Sequence, residues 1–243
     1  MSLQDTTAAA AASIAGWLSA LYRDLDAMSG EVGLLLESAL GERTKISKRD
    51  LSGLREKSEH FLNSHSSVVG AGVIFSISSI QDAEGVLEWW VRNDRNGIEK
   101  LDFDLAPEGN SFYDYEQLPW FSVAARTGRQ TIAGPYVDYL GFNEYIMTCT
   151  VPSYVHGSFI GVTGCDLRIR DLEEVFIPMI RAVPGDAAIV NGNENRVVLG
   201  NSGRFLVGER IKTEPPGFAL VPLEVPYLNL GLLCSSGGPG QES

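Results

Sequence analysis

Aromatic and acidic side chains are concentrated between residues 113 and 166, and their types could together hold a small cation. Aromatic ring faces attract cations, and a buried carboxylate neutralises them, so the combination suits a ligand pocket. Asp138 and Asp166 supply the carboxylates, each near the end of a strand-like run. The aromatic candidates are Tyr113, Tyr115, Trp120, Phe121, Tyr136 and Tyr139. The pattern favours binding of a small molecule over bond-breaking chemistry.

Outside this region, the sequence shows no group of residues whose types and spacing suit catalysis or metal binding. The three histidines are scattered, without metal-ligand spacing and without a nucleophile beside them. Cys149, Cys165 and Cys234 form no CxxC pair, and the first two lie in apolar runs where a free Cys acts as a small hydrophobe. We therefore expect no catalytic residue, no metal and no cofactor.

The charge balance limits the partners of the chain. Its 243 residues carry a formal net charge of -12, which argues against a nucleic-acid-binding surface, since such surfaces need clustered Lys and Arg. Residues 8–22 are Ala-rich but have no basic flank and are too short to span a bilayer. We expect a cytoplasmic protein with reduced thiols and no membrane contact; the alternative is the excised extracytoplasmic domain of a membrane receptor.

The N-terminal 66 residues have helical periodicity. Leu18, Leu21 and Leu25 recur at helical spacing, and Gly30 and Gly41 are the predicted breaks. A helical arm of this length packs along a sheet or pairs with a second copy of itself. We expect a homodimer formed through these helices.

Strand patterns begin at Ser67 and are separated by polar or Gly-rich turns. Residues 116–127 interrupt them as a short helix that begins near Pro119, which is tolerated in a first helical turn. A helix follows Asp171, and Pro178 should end or kink it. The predicted strands are 67–78, 86–93, 98–104, 131–138, 145–154 and 158–167.

The C-terminal part has a second β pattern, with Asn and Gly at a turn between two strands. The predicted fold class is α+β: an N-terminal helical arm packed on a PAS-like antiparallel sheet, with a smaller second antiparallel β module. The predicted divisions are a helical arm (1–66), a ligand-binding module (67–184), a shortened second β module (185–236) and a flexible tail (237–243).

Three motifs in sequence order resemble the Cache family of ligand-sensor domains, particularly its double-module type. They are YDYEQLPWFSVAARTG from Tyr113, GPYVD from Gly134, and YIMTCTVPSYVHGSFIGVTGCDL from Tyr145. The family has an aromatic turn, a Pro-Tyr strand and a GVxGxDL strand in the same order. The resemblance covers residues 67–170 well, and it implies a sensor that is not an enzyme.

The resemblance also implies a site. In amino-acid-binding members, an Arg two positions before the Trp grips the ligand carboxylate, and Tyr and Asp residues hold the ammonium group. In this chain the Arg position is Leu118, which has no donor, and Phe121 stands where the family often has Tyr. The chain is thus similar to amine-sensing members and implies a small amine ligand of quaternary, biogenic or polyamine type. The ammonium side carries over to Tyr113, Trp120, Tyr136, Asp138 and Asp166.

Two further points stay open in the sequence. Trp89 and Trp90 are adjacent on a strand and must point to opposite faces; Trp90 is our candidate for the site, but the pattern does not decide between them. The ligand could instead be an amino acid or carboxylic acid held by Arg92, Arg126 or Arg129.

An enzyme with an Asp general base is a less favoured reading, because the chain lacks a positioned nucleophile, metal cluster or phosphate-binding loop. The chain also lacks an effector domain, so a separate regulator protein is an expected partner.

Overall fold

The computed structural model describes residues 3–93, 95, 97–105, 113–139, 143–211 and 214–236. The predicted flexible tail, 237–243, lies outside the described residues. The described part contains four α-helices and ten β-strands. The helices are α1 (Leu3–Leu40), α2 (Leu54–Ser64), α3 (Pro119–Thr127) and α4 (Ile169–Ile180).

Two antiparallel sheets contain the strands, and the predicted α+β fold class is confirmed. The first sheet has the order β3-β2-β1-β6-β5-β4, and the second has the order β8-β7-β10-β9. The first sheet consists of β1 (Val68–Phe75), β2 (Val86–Arg92), β3 (Ile98–Lys100), β4 (Thr131–Val137), β5 (Tyr145–Val155) and β6 (Ser158–Arg168). The second consists of β7 (Ala187–Asn191), β8 (Arg196–Gly200), β9 (Phe218–Pro222) and β10 (Leu230–Ser235).

The chain divides into two compact units, each formed from several segments. One unit comprises residues 1–20, 133–147 and 168–243, and the other comprises 21–132 and 148–167. In the first unit, the four-stranded sheet buries a cluster that includes Phe205 and Leu233. In the second unit, α1 contributes Val32, Leu36 and Leu40 to a core shared with strand residues. The four divisions predicted from the sequence remain predictions.

Helix α1 is continuous to Leu40, so the predicted break at Gly30 is wrong. A single glycine costs a helix interior only about 1 kcal/mol relative to alanine, and burial of the apolar stripe offsets this cost. Gly33 is the glycine that packing requires, because a Cβ there would lie 2.9 Å from the backbone oxygen of Tyr154. At Gly41 the φ angle is +59°, and α1 ends there as predicted. Helix α4 runs two residues past Pro178 to Ile180.

A buried acidic residue fixes the connection from α1 to α2. Asp50 is 5% exposed and accepts two hydrogen bonds from the guanidinium group of Arg43, at 2.9 and 2.6 Å. The hydroxyl and backbone N–H of Ser47 also donate to it. The Arg43 hydrogen bond is the main cause that holds the pKa of Asp50 well below its usual range. This group therefore stabilises the folded chain at neutral pH, and that contribution falls as the pH drops below about 4.

Replacing Asp50 with Asn should lower the free energy of unfolding at pH 7 by about 2 kcal/mol, because a charge-assisted hydrogen-bond network is lost. The difference from the native chain should narrow as the pH falls below about 4, where the carboxylate becomes protonated in the unfolded chain. Urea unfolding at pH 7 and pH 3 measures both effects. The exposed Asp82 provides the control variant Asp82→Asn. A stability difference that does not change with pH would contradict this account.

Candidate functional site

The strand register brings Asp166 and Trp89 to one face of the six-stranded sheet. Gly70 of β1 pairs with Asp166 of β6, and Gly72 pairs with both Trp89 of β2 and Gly164 of β6. Directly paired residues in an antiparallel sheet project to the same face, and alternate residues share that face. Asp166 and Trp89 therefore flank a row of three glycines. We call this face the glycine face.

Two of these glycines, Gly70 and Gly164, leave room for the indole of Trp89. A Cβ on Gly70 would lie 2.8 Å from the indole Nε1, and a Cβ on Gly164 would lie 3.5 Å from its Cη2. The same added atom on Gly70 would be 3.4 Å from Oδ2 of Asp166. The indole thus extends across β1 towards β6, and its nitrogen end lies near the Asp166 carboxylate. An indole and a carboxylate are adjacent here, and both kinds of group attract cations.

Asp166 is a buried carboxylate, 7% exposed. The hydroxyl of Thr148 on β5 donates to its Oδ1 at 2.6 Å, which fixes the orientation of the carboxylate. Coulomb interactions at such depth are stronger than in water because the surroundings screen them less. A ligand cation that reached this carboxylate would be strongly favoured over a neutral ligand.

Helix α3 is attached to the same face through its first turn. The hydroxyl of Thr150 on β5 donates to the backbone oxygen of Trp120 at 2.6 Å, and Thr150 shares its face with Thr148 because strand residues alternate. Leu118 precedes the helix with extended dihedral angles, which suits a residue before proline. Its backbone oxygen accepts the N–H groups of Phe121 and Ser122, each at 2.9 Å. Leu118 is thus the residue before α3, and its half-buried side chain offers no hydrogen-bond donor.

The remaining aromatic residues of this turn pack against one another. Tyr113 stacks on Phe103 with ring centroids 5.1 Å apart, and Phe121 makes edge contacts with Tyr115 and Phe159 at 5.6 and 6.0 Å. The Tyr115 hydroxyl donates to a backbone oxygen of β1, and burial raises its pKa well above the usual value. Phe121 is nearly fully buried, whereas Tyr113 is partly exposed. Phe121 thus contributes to the packing of the turn, and a ligand contact of Tyr113 remains a prediction.

Trp90, our candidate from the sequence, faces away from Asp166. It pairs with Ala71, so it lies on the opposite face, where the guanidinium group of Arg55 on α2 lies 5.0 Å from its ring centroid. Its indole nitrogen is buried and has no hydrogen-bond partner in the described part of the chain. The tryptophan that shares a face with Asp166 is therefore Trp89, and a ligand contact of Trp90 remains a prediction. Strand alternation requires one tryptophan on each face, but only the register decides which.

Tyr136 and Asp138 belong to the other compact unit, and their predicted contacts with a ligand remain predictions. Tyr136 lies near the end of β4, Asp138 follows the strand, and both side chains are half-buried. The backbone of Asp138 is held in the turn to β5: its N–H donates to Glu144 at 3.0 Å, and its oxygen accepts the N–H of Asn143 at 2.7 Å.

The sequence left the choice between Trp89 and Trp90 open, and it did not single out Thr148, the other residue of this face. A signal for Thr148 exists, because Thr148 and Thr150 alternate with Cys149 in a strand that is mostly apolar. Polar side chains at alternate positions of a buried strand indicate that one face carries polar contacts. No comparable signal separates Trp89 from Trp90.

Other types of site lack support in the described residues. They contain no group of three or more His, Cys, Asp or Glu placed to hold a metal ion. None of their helices has both the length and the apolar character needed to cross a membrane. The three cysteines are buried free thiols, and burial is the main cause that raises the pKa of Cys165.

A PAS-like sheet with an aromatic and carboxylate-bearing face, attached to a short helix, defines a ligand-sensor domain of the Cache type. Residues 56–174, just under half of the chain, match the family model described as methyl-accepting chemotaxis protein-like, first PDC sensor domain. The resemblance to Cache sensor domains is thus confirmed. The matched proteins are receptor sensor domains and not enzymes, as expected from the sequence.

One curated relative and two solved structures illustrate the similarity. Methyl-accepting chemotaxis protein McpA of Pseudomonas putida is 28% identical over 105 residues, which cover 43% of this chain and only 16% of that protein. A structure of methyl-accepting chemotaxis protein X has a TM-score of 0.69 at 15% identity and covers 96% of this chain and 95% of its own. The ligand-binding domain of the Pseudomonas aeruginosa PAO1 amino acid chemoreceptor PctC, in complex with GABA, has a TM-score of 0.60 at 14% identity over 95% and 96% of the two chains. At these identities the solved structures establish the fold alone.

Proposed function

We propose that this chain is the ligand-binding part of a sensor that recognises a small amine cation and signals by a change of conformation. The observation that carries the proposal is the buried Asp166 carboxylate beside the indole of Trp89 on the glycine face. Ring faces and carboxylates attract cations of quaternary, biogenic and polyamine type alike. Binding would favour one conformation of the chain over another, and a partner would detect that shift in population.

The leucine at position 118, where amino-acid-binding members of the family carry an Arg, supports an amine over an amino acid. An amino acid carries a carboxylate as well as an ammonium group, and a bidentate Arg is the strong and geometrically specific partner of a carboxylate. Leu118 is the residue before α3 and has no donor. Arg92 is three positions after Trp89 on β2, so it lies on the face opposite Trp89 and Asp166. Its guanidinium group donates to the backbone oxygens of Val68 and Leu62.

An amino acid or carboxylic acid ligand is the second candidate function. It is favoured by PctC, which is described as an amino acid chemoreceptor and was solved with GABA. In this chain Arg126 and Arg129 are the arginines that could meet a ligand carboxylate, and both are exposed at the end of α3 or just after it. An exposed arginine is strongly hydrated, so it would contribute less to affinity than a buried one.

The setting of the domain is also part of the proposal. The expectation of a cytoplasmic protein gives way to the stated alternative, a sensory domain outside the cytoplasm, because the matched family belongs to chemotaxis receptors.

A homodimer through α1 remains our prediction, supported by the exposed Gly30 and by Leu34, which is 69% exposed. Measurement of the sedimentation coefficient tests the dimer: a monomer at all concentrations would contradict it. A separate regulator protein is likewise still expected as a partner.

A thermal-shift screen tests the function. Choline, putrescine, ethanolamine and tetramethylammonium would be compared with GABA and the common amino acids at equal concentrations. Ligands that bind only the folded state raise its stability according to the ratio of concentration to dissociation constant. We expect at least one amine to raise the melting temperature and to be recovered chemically unchanged. Stabilisation by carboxylate-bearing ligands alone would reject the amine proposal, and turnover of the amine would reject a purely sensory role.

A further inference from the structure

Side chains of the turn between β7 and β8 hold the backbone of β4 at one residue. Both backbone polar groups of Gly134 are bound: its N–H donates to Oε1 of Glu194 at 2.6 Å, and its oxygen accepts from Nδ2 of Asn191 at 2.6 Å. The amide of Asn191 is oriented by a further contact, since its Oδ1 accepts the N–H of Asn193 at 3.1 Å. We call these three residues, Gly134, Asn191 and Glu194, the Gly134 clamp.

The clamp occupies a position where backbone groups usually face water. β4 is the last strand in the order of its sheet, and an edge strand presents unpaired N–H and C=O groups. Gly134 has φ +108°, and a Cβ there would lie 2.6 Å from the backbone oxygen of Ile146, so a larger residue does not fit. The hydrogen bond to the Glu194 carboxylate is charge-assisted, and the one from Asn191 is buried. Together they fix the path of β4 at Gly134 more firmly than contacts with water would.

The clamp also has a direct connection to the four-stranded sheet. Asn191 is fully buried and is the last residue of β7, where it pairs with Leu230 of β10. The N–H of Gly192 donates to the backbone oxygen of Asn229 at 2.7 Å, which attaches the turn to the start of β10. A displacement of β4 at Gly134 would therefore act on β7 and, through strand pairing, on β10.

We propose that Asn191 and Glu194 are positioning residues that fix the backbone of β4 beside Tyr136 and transmit the movement of that segment to β7 and β10. Tyr136 is two residues from Gly134, so the clamp fixes the backbone next to it. The ligand role of Tyr136 rests on the proposed function, but the mechanical link does not. Through the clamp, a movement of β4 reaches the four-stranded sheet without any need for a ligand on that sheet itself.

A ligand-free experiment tests the link. In the free protein, Tyr136→Phe should shift the backbone amide resonances of β7 and β10, because the change at β4 passes through the clamp. The same substitution in a Glu194→Ala background should shift them at least about twofold less, since the bond to Gly134 is absent. Glu194→Gln keeps an acceptor oxygen and should preserve the full shift, and Glu173→Ala removes an exposed carboxylate from α4 as a control. Equal shifts in the Glu194→Ala and native backgrounds would overturn the proposal.

A binding experiment tests the positioning role with whichever amine or amino acid stabilises the protein most in the screen. Glu194→Ala should weaken its affinity about tenfold, whereas Glu194→Gln should stay within about twofold of the native value. Unchanged affinity in Glu194→Ala would refute the positioning role. If Glu194→Ala does not fold, Asn191→Ser removes the other half of the clamp and replaces it in both experiments. Failure of every amine to bind would reject the proposed ligand, while the resonance shifts would still decide the link.

Discussion

Replacing Asp166 with Asn should weaken binding of a stabilising amine at least about a hundredfold, which corresponds to about 3 kcal/mol or more. Asn keeps an oxygen that can accept the Thr148 hydroxyl, now at 2.6 Å from Oδ1, so the fold around the side chain is retained. What Asn cannot supply is the negative charge opposite a desolvated cation. Isothermal titration with the amine identified in the screen measures the loss.

A surface charge change separates this effect from a loss of net charge. Asp114→Asn removes an exposed carboxylate from the turn before α3 and should leave the affinity within about twofold. Thermal melting without ligand should show that Asp166→Asn is folded. Native-like affinity in a folded Asp166→Asn variant would remove Asp166 from the binding site.

Introducing Arg at position 118 should change the class of ligand. Leu118→Arg is expected to raise the affinity for GABA at least about tenfold, because a guanidinium group at the start of α3 can pair with a carboxylate through two hydrogen bonds. The same variant should bind simple amines more weakly, since a second cation beside the site repels them. The half-buried position and its extended backbone accept a long side chain whose charged end reaches solvent.

Two companion variants show whether geometry or charge is responsible. Leu118→Lys adds the charge without the planar fork and should gain less GABA affinity than Leu118→Arg. Leu118→Met changes the shape but not the charge, and should behave like the native chain. If Leu118→Arg leaves the affinity for GABA unchanged, position 118 does not face the ligand and the argument from its leucine fails.

The fold could be predicted largely from alternation and turn chemistry. The strands of the first sheet begin and end within a few residues of the predicted ranges, since Gly-rich and polar turns separate them. The helical arm was predicted in the right place but with a false break at Gly30, because local propensity cannot register the tertiary packing that keeps α1 continuous. Similarly, Pro178 lies in the last turns of α4 and does not end it.

The candidate site could be predicted only in part. Alternation shows which residues of one strand share a face, but it does not show how that strand pairs with its neighbours. Alternation separates Trp89 from Trp90, but which one joins Asp166 depends on the pairing of β1 with β2 and β6. The role of Gly134 was equally hidden, since its partners Asn191 and Glu194 are about sixty residues away and their turn reads as an ordinary hairpin. Long-range contacts of this kind have no local pattern.

The glycine face limits how such a receptor can change its ligand. A Cβ on Gly72 would lie 1.9 Å from the backbone oxygen of Glu88, and one on Gly70 would strike the Trp89 indole at 2.8 Å. Substitution of these two residues of the glycine face therefore lowers the stability of the fold before it changes ligand selectivity. Variation in ligand preference among proteins with this glycine face should be concentrated in the segment that begins α3, where Leu118 stands and where a new side chain meets less resistance. Mutational scanning should then find that substitutions at Gly70 and Gly72 are poorly tolerated, whereas substitutions at Leu118 are accepted.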